Sequence, residues 1–425
     1  MTGSKTLVIA PPDTASPDAV RPTDTSAKSD ERMRQRRAML PVTPLLLFML
    51  TFLVVPMFFI LKTSVTDAEI ARSLTSTQSF LSDVNSFPPP PWTFKALGKD
   101  LQAAQKAGQL RALGRRVGYE FPRGLNVIID TSRAVRSLND SSEPEQWKEA
   151  IVSANEAWNN AGIWSVIAES DGKYSAFYLR WALGFDVVRD VDGDSTVQQG
   201  YDFRLIYLRT ITVSLLVTAL TIIIGYPLAY VISTAQGRMA ALLLFLILLP
   251  FWTSLLVRTM SWIVVLQTNG VLNSFITMTG IASEPMKLLY TRAATVLAMV
   301  QIQLPFTVLP MISVMKAIPP SHVRAARSLG AGPIRAHVSV FMPQVVPGIA
   351  AGGLLTFVLC LGFYLTPALV GGASDQMVSF FIAKFTNEEL NWGLASALSV
   401  ILVIGTSIVA FPLARFVASH SSDRI

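Results

Sequence analysis

An all-α membrane protein with six transmembrane helices is the fold class this sequence predicts, and three observations carry the prediction. Of its 425 residues 51% are apolar and only 15% are charged, a balance that would aggregate in water. Six apolar runs, at roughly 39–61, 205–232, 239–267, 291–317, 345–370 and 392–417, each exceed the ~20 residues with which a helix crosses the hydrocarbon layer. Basic residues gather beside the ends of those runs, as cytoplasmic anchors do. The net charge of +7 therefore reads as membrane anchoring, and nucleic acid is discounted as a partner.

Residues 1–38 are rich in Pro, Ser, Thr, Asp and Ala without an apolar period and read as a disordered cytoplasmic tail. Arg32, Arg34, Arg36 and Arg37 stand immediately ahead of the first run, and positive charge there holds the N-terminus inside. The first helix, 39–62, then crosses outward. It is long enough to span and has no clear small-x-small cleavage site, which sets it apart from a signal peptide.

From 63 to 203 charges are frequent, Pro88–Pro91 breaks the pattern, and no stretch is long enough to span, so this is an insert on the periplasmic side. Residues 95–116 and 143–169 have helical composition, and Leu97, Leu101, Ala104, Leu110 and Leu113 approximate one apolar stripe; a mostly helical insert domain is expected. Trp147, Trp158, Trp164 and Trp181 read as its core, with contact anchors for a partner as the alternative. Asp190, Asp192 and Asp194 alternate like calcium-loop ligands. Tyr201 holds the twelfth position, where a carboxylate belongs, so an ordinary acidic turn is preferred.

The second to sixth helices make a five-helix core over 204–417, followed by a short tail, 418–425. Six crossings put both termini, the 236–238 turn and the 318–344 loop in the cytoplasm. Arg238, Lys316, Arg324, Arg327, Arg335 and Arg415 agree with that sidedness, while Lys287, Arg292 and Lys384 go against it. Pro227, Pro250, Pro305, Pro310 and Pro367 lie in or near spans, where a missing N–H kinks a helix. Such kinks suit a bundle that rocks between two states, and static packing explains them equally. Cys360 is the lone cysteine and lies in an apolar run, which leaves no internal disulfide and no cysteine-rich metal site. His322, His337 and His420 fall in the polar loop and the tail, where solvation is the expectation.

The third run carries Pro250-Phe-Trp-Thr-Ser-Leu-Leu-Val-Arg258. An arginine at mid-membrane costs roughly 3 kcal/mol on insertion scales, so Arg258 faces a cavity or a partner, or else snorkels from nearer the periplasmic end. The runs carry almost no Asp or Glu, although a tight polycation site would need carboxylates. What remains to line a pathway is aromatic or neutral: Trp252, Thr253, Ser254, Tyr226, Tyr230, Gln301, Gln303, Tyr364 and Thr366. Helix packing explains each of these equally well.

The segment 319–343, PPSHVRAARSLGAGPIRAHVSVFMP, reads as two short helices. Pro319 and Pro320 suit a first turn, and Gly330, Gly332 and Pro333 stop one helix and start the next. Ala325, Ala326 and Leu329 share a face, with Arg324, Arg327 and Arg335 spread around it: a basic helical knob projecting from a membrane. At these residues the stretch resembles the EAA loop of permease subunits of binding-protein-dependent ABC importers. Ala325, Ala326, Gly330 and Pro343 hold their places, Val340 and Met342 stand in for apolar residues of its ending, and Arg324 replaces its Glu. The blocks Phe251–Ser254, Gly270–Asn273, Leu361–Gly372 and Asn391–Ser399 are similar to permeases of the spermidine/putrescine type, a group that also handles opines, phosphonates and some ferric iron. The resemblance covers the first run and about 205–417, and does not extend to the 63–203 insert.

That resemblance implies the type I ABC importer permease fold and a transport subunit with no catalytic residue, metal or cofactor of its own. It implies a periplasmic substrate-binding protein, a second permease subunit, and two ATPase subunits that bind ATP and Mg. The ATPase would be reached through Arg324, Ala325, Ala326, Leu329, Gly330, Pro333 and Pro343. No Gly-x-x-x-x-Gly-Lys-Ser/Thr loop occurs in the sequence, so the nucleotide acts through a partner. Two other classes stand as alternatives. One is an ion-coupled carrier or channel acting alone, which would place ionisable residues along its relay; the other is a membrane anchor for a periplasmic receptor domain.

Overall fold

The computed structural model describes residues 42–82, 87–170, 174–185 and 201–422, the side chains of Ser82 and 416–422 excepted. The 1–38 tail, the arginines at 32–37 and the Asp190–Asp194 turn lie outside the described residues, as does the His420 side chain.

Thr43–Ser64 is a single apolar helix of 22 residues. At 1.5 Å per residue it measures about 33 Å, enough for the ~30 Å hydrocarbon layer. The chain from Ile60 onward is a compact unit of its own, with two parts: a helical insert and a membrane bundle.

In the insert, Pro91–Lys106, Leu110–Gly118, Gly124–Ala134, Pro144–Ala154 and Ala161–Glu169 are helices around one apolar core. The expected stripe is there: Leu97, Leu101, Ala104 and Leu113 are buried and Leu110 packs against them. The expected helices are shorter than their compositions imply. Gly108, at φ +71°, separates the first two, because only glycine takes that backbone without strain. Asn155 and Asn160 accept the N–H groups of Ala157 and Gly162, starting new helical turns where composition alone predicts one rod. Trp147, Trp158 and Trp164 are buried in this core. The Trp158 indole N–H donates to Thr131 Oγ1 at 2.7 Å and that of Trp164 to the Trp158 carbonyl at 2.9 Å.

A buried ionic cluster joins the insert to the bundle. The Arg116 guanidinium donates to both oxygens of Asp67 (2.7–2.8 Å) and to Glu120 (2.6 Å), and lies 3.5 Å from the centre of the Phe177 ring. Burial by itself lowers its pKa, and the two carboxylates reverse that and raise it. Phe177 and Tyr178 belong to a second core with Phe203, Phe381, Phe385, Leu394 and Leu398. Asn391 donates to the Tyr119 hydroxyl at 2.6 Å, and a Cβ on Gly393 would stand 2.4 Å from the Tyr178 ring. The insert is thereby seated on the first turn of the sixth span. Burial pushes the Tyr119 hydroxyl up to about 12, so this contact stays neutral through the physiological range.

Glu69, beside this cluster, has its Oε2 buried without a hydrogen-bond partner. Burial, with Asp67 adding to it, raises its pKa. The fold therefore disfavours the ionised carboxylate: the stability it contributes is present below the ordinary carboxylate pKa and lost as pH rises through the raised one. Glu69→Gln is expected to match or exceed the wild type at neutral pH and to flatten the decline from mildly acidic to neutral. Tryptophan-fluorescence melts of the purified chain at the two pH values measure this, and an unchanged slope would take Glu69 out of the account.

Six stretches among the described residues are long and apolar enough to span: Thr43–Ser64, Phe203–Thr234, Leu255–Met278, Arg292–Ala317, Pro333–Gly362 and Trp392–Arg415. The second, fourth and fifth pack most closely, through small residues that let backbones approach. A Cβ on Gly352 would lie 2.5 Å from the Thr307 carbonyl oxygen, and one on Gly225 3.0 Å from Val308.

The third stretch departs from the sequence expectation. The run 239–267 is not one helix: Gly237–Leu248 ends in a 3-10 turn, Leu249–Trp252, and a new helix, Leu255–Leu266, begins after it. Pro250 has no N–H to continue the first helix, and the Ser254 hydroxyl accepts the Val257 N–H to start the second. Hydropathy is continuous across the break, so run length conceals it.

Candidate functional site

The knob at 319–343 is built by caps. Pro319 and Pro320 open the helix Pro320–Ser328 where free N–H groups are not needed. At its end the Gly330 N–H bonds the Arg327 carbonyl (3.0 Å) and the Ala331 N–H that of Ala326 (3.1 Å), a Schellman closure with Gly330 at φ +90°. The second short helix of the sequence reading is instead the start of the fifth span. Pro333–Ala336 runs without a gap through a π turn, His337–Phe341, into Met342–Gly362. The α ladder restarts at Met342, so Pro343 sits in a first turn that tolerates its missing N–H.

Leu329 and Ile334 are 90% and 80% exposed at the tip. Ala325 and Pro333 are also exposed, and Ala326 is half-buried. Arg324, Arg327 and Arg335 are exposed around them, with no ion pair to a carboxylate among the described residues. The knob presents apolar side chains ringed by uncompensated cations. Its base is polar and aromatic. His337 Nε2 shares a 2.8 Å hydrogen bond with the Tyr226 hydroxyl, and its ring packs on Tyr230 and Phe341 at centroid distances of 4.9 and 5.1 Å. His337 is thus half-buried and engaged where solvation was expected. Tyr226 and Tyr230, read from sequence as pathway candidates, support the knob. Their spacing of four residues, matched by that of His337 and Phe341, was the available signal.

The other pathway candidates divide into two groups. Trp252, Thr253, Ser254 and Tyr364 are exposed in this chain. The Thr253 hydroxyl donates to the Pro250 carbonyl at 3.0 Å, and Arg258 turns back to donate to the Thr253 carbonyl at 3.1 Å. Arg258 therefore satisfies a backbone acceptor at the helix break, while its Nε is buried without a partner. Gln301, Gln303 and Thr366 face the interior. Gln301 accepts the Trp262 indole N–H at 3.3 Å. Thr366, fully buried, shares a 3.1 Å hydroxyl bond with Thr259, a partner that sequence reasoning missed. Gln303 is fully buried with neither amide atom hydrogen-bonded. Among the described residues no three or more His, Cys, Asp or Glu are grouped to hold a metal ion.

The family described as the binding-protein-dependent transport system inner membrane component matches residues 221–420. The spermidine/putrescine transport system permease protein PotB of Escherichia coli is 30% identical over 208 residues, 48% of this chain and 76% of that protein. PotB of Haemophilus influenzae is 34% identical over 202 residues, 48% and 71% of the two chains. The E. coli inner membrane ABC transporter permease protein YdcU is 33% identical over 217 residues, 47% and 67%. Among solved structures, a bacterial ABC transporter involved in alginate import aligns with 57% of this chain and 88% of that one, at 16% identity and a TM-score of 0.42. The chain belongs to the family of binding-protein-dependent inner membrane transport components: it is a multi-pass permease subunit of an ABC importer, a family in which ATP hydrolysis falls to a separate subunit.

Proposed function

We propose that this chain forms the membrane pathway for a small polar solute of the polyamine type, with opines and phosphonates the other members of the same range. A periplasmic binding protein delivers the solute on the insert side, a second permease completes the pathway, and two ATPase subunits holding ATP and Mg act on the knob. The observation that carries this reading is the knob itself, with exposed Leu329 and Ile334, its ring of arginines that meet no carboxylate among the described residues, and a base tied to the second span through His337 and Tyr226. The PotB relatives supply the substrate class. None of the six spans contains Asp or Glu, so selectivity for a polycation resides in the binding protein. Arg238, Lys316 and the knob arginines support a sidedness with the knob and both termini in the cytoplasm.

Two measurements test this. Single cysteines at Ser141 and Ser328, in a Cys360→Ala background, are expected to differ on intact cells: an impermeant thiol reagent labels position 141 and spares 328. The opposite pattern reverses the sidedness. Vesicles holding the assembled complex, ATP and binding protein are expected to accumulate labelled putrescine or spermidine. Uptake of a phosphonate in their place would move the substrate within the range.

A further inference from the structure

We propose that the groove between the second, fifth and sixth spans holds an acyl chain of an anionic phospholipid whose phosphate rests on Arg204. The groove encloses about 310 Å³ and is walled by Leu183, Ile211, Phe357, Leu361, Leu402 and Val409. Along its walls, away from Arg204 at the end, the polar side chains are already used. Tyr207 donates to the Leu398 carbonyl, Thr210 to that of Ile206 and Thr406 to that of Leu402. Water or a polar solute would find no partner there, so the contents are hydrocarbon. The second, fifth and sixth spans form most of the wall, and Leu183, Ile211 and Val409 are each at least 40% exposed at the rim, so the surrounding solvent is lipid. The volume takes roughly ten groups the size of a water molecule, the scale of a length of acyl chain and not of a whole lipid.

Arg204 fixes the headgroup. It is exposed at the insert end of the groove, in the first turn of the helix Phe203–Thr234. Its Nε donates to the Leu183 carbonyl at 3.1 Å, and its guanidinium carbon lies 5.1 Å from the Phe185 ring centre. The Nη groups have no partner among the described residues. The Asp202 carboxylate caps the same helix by accepting the Leu205 N–H. A cation with no counter-ion among the described residues, set above an apolar slot, matches a phosphate above an acyl chain. A headgroup carrying its own ammonium matches it less well.

The test uses the assembled complex in nanodiscs of phosphatidylethanolamine doped with a phosphatidylglycerol that bears a photoactivatable acyl chain. Cross-links are expected on peptides covering 205–211 and 401–409, displaced about fivefold better by unlabelled phosphatidylglycerol than by phosphatidylethanolamine. Gly405 lines the groove and a Cβ there meets nothing within 4 Å, so Gly405→Phe fills the slot and should lower cross-linking about tenfold. Arg204→Gln should keep the cross-links and lose the headgroup preference. If Gly405→Phe fails to assemble, Val409→Trp replaces it. Cross-linking indifferent to both groove variants, or equal displacement by the two lipids, means non-specific annular lipid and overturns the proposal. Cross-links from the groove to a second permease subunit in place of lipid overturn it as well.

Discussion

Gly330→Asp is expected to reduce uptake to background while solute binding by the separate binding protein is unchanged. Gly330 is at φ +90°, where a side chain strains the backbone by about 1–2 kcal/mol. A Cβ there meets nothing within 4 Å in this chain, so the fold tolerates the bulk and the damage falls on whatever the tip touches. The substitution places a carboxylate next to the exposed Leu329 and among Arg324, Arg327 and Arg335, inverting part of the field that the knob presents. Gly330→Asn separates the causes, since asparagine accepts the left-handed backbone at nearly the same size without charge. It should keep most uptake, with Gly330→Ala also above the Asp variant. Vesicles with ATP and binding protein report hydrolysis and uptake together. Wild-type values for both in the Asp variant would remove the coupling role from the knob.

The parts of this molecule legible in the sequence are those written in local period and punctuation. Apolar run length located five of the six spans, and Pro319, Pro320 and Gly330 marked the knob helix and its end. The misreadings occurred where a local signal was outweighed. Pro250 and Ser254 mark the break in the third run, yet the hydropathy around them is uninterrupted. Gly108, Asn155 and Asn160 were cap signals inside stretches of helical composition. The remaining features had little local trace. Thr259 with Thr366, Tyr226 with His337 and Asn391 with Tyr119 are pairs made by helix packing across more than a hundred residues. Nothing in the composition of 337–341 announces a π turn; what distinguishes it is that His337 and Phe341 pack together against Tyr230.

Arg116→Ala is expected to destabilise the insert by about 3–5 kcal/mol, a large part of the 5–15 kcal/mol typical of a domain. Its partner Glu120 sits four residues on and is visible in sequence, but Asp67 is 49 residues away and only the fold brings it in. Arg116, Asp67 and Glu120 are all buried, so truncation removes the cation that offsets two carboxylates held out of water. It also removes the contact with Phe177, which belongs to the core seating the insert on the sixth span. Arg116→Met combined with Asp67→Asn and Glu120→Gln should be far milder, because no charge is then stranded. Red-shifted tryptophan emission and protease cleavage within 91–169, with the spans still membrane-embedded, are the expected signs of the single variant. If the insert helps to seat the binding protein, the same variant raises the binding-protein concentration needed for half-maximal uptake and leaves the maximal rate unchanged. An Arg116→Ala chain as resistant to protease as the wild type would show that solvent reaches this cluster and that the ionic joint contributes little.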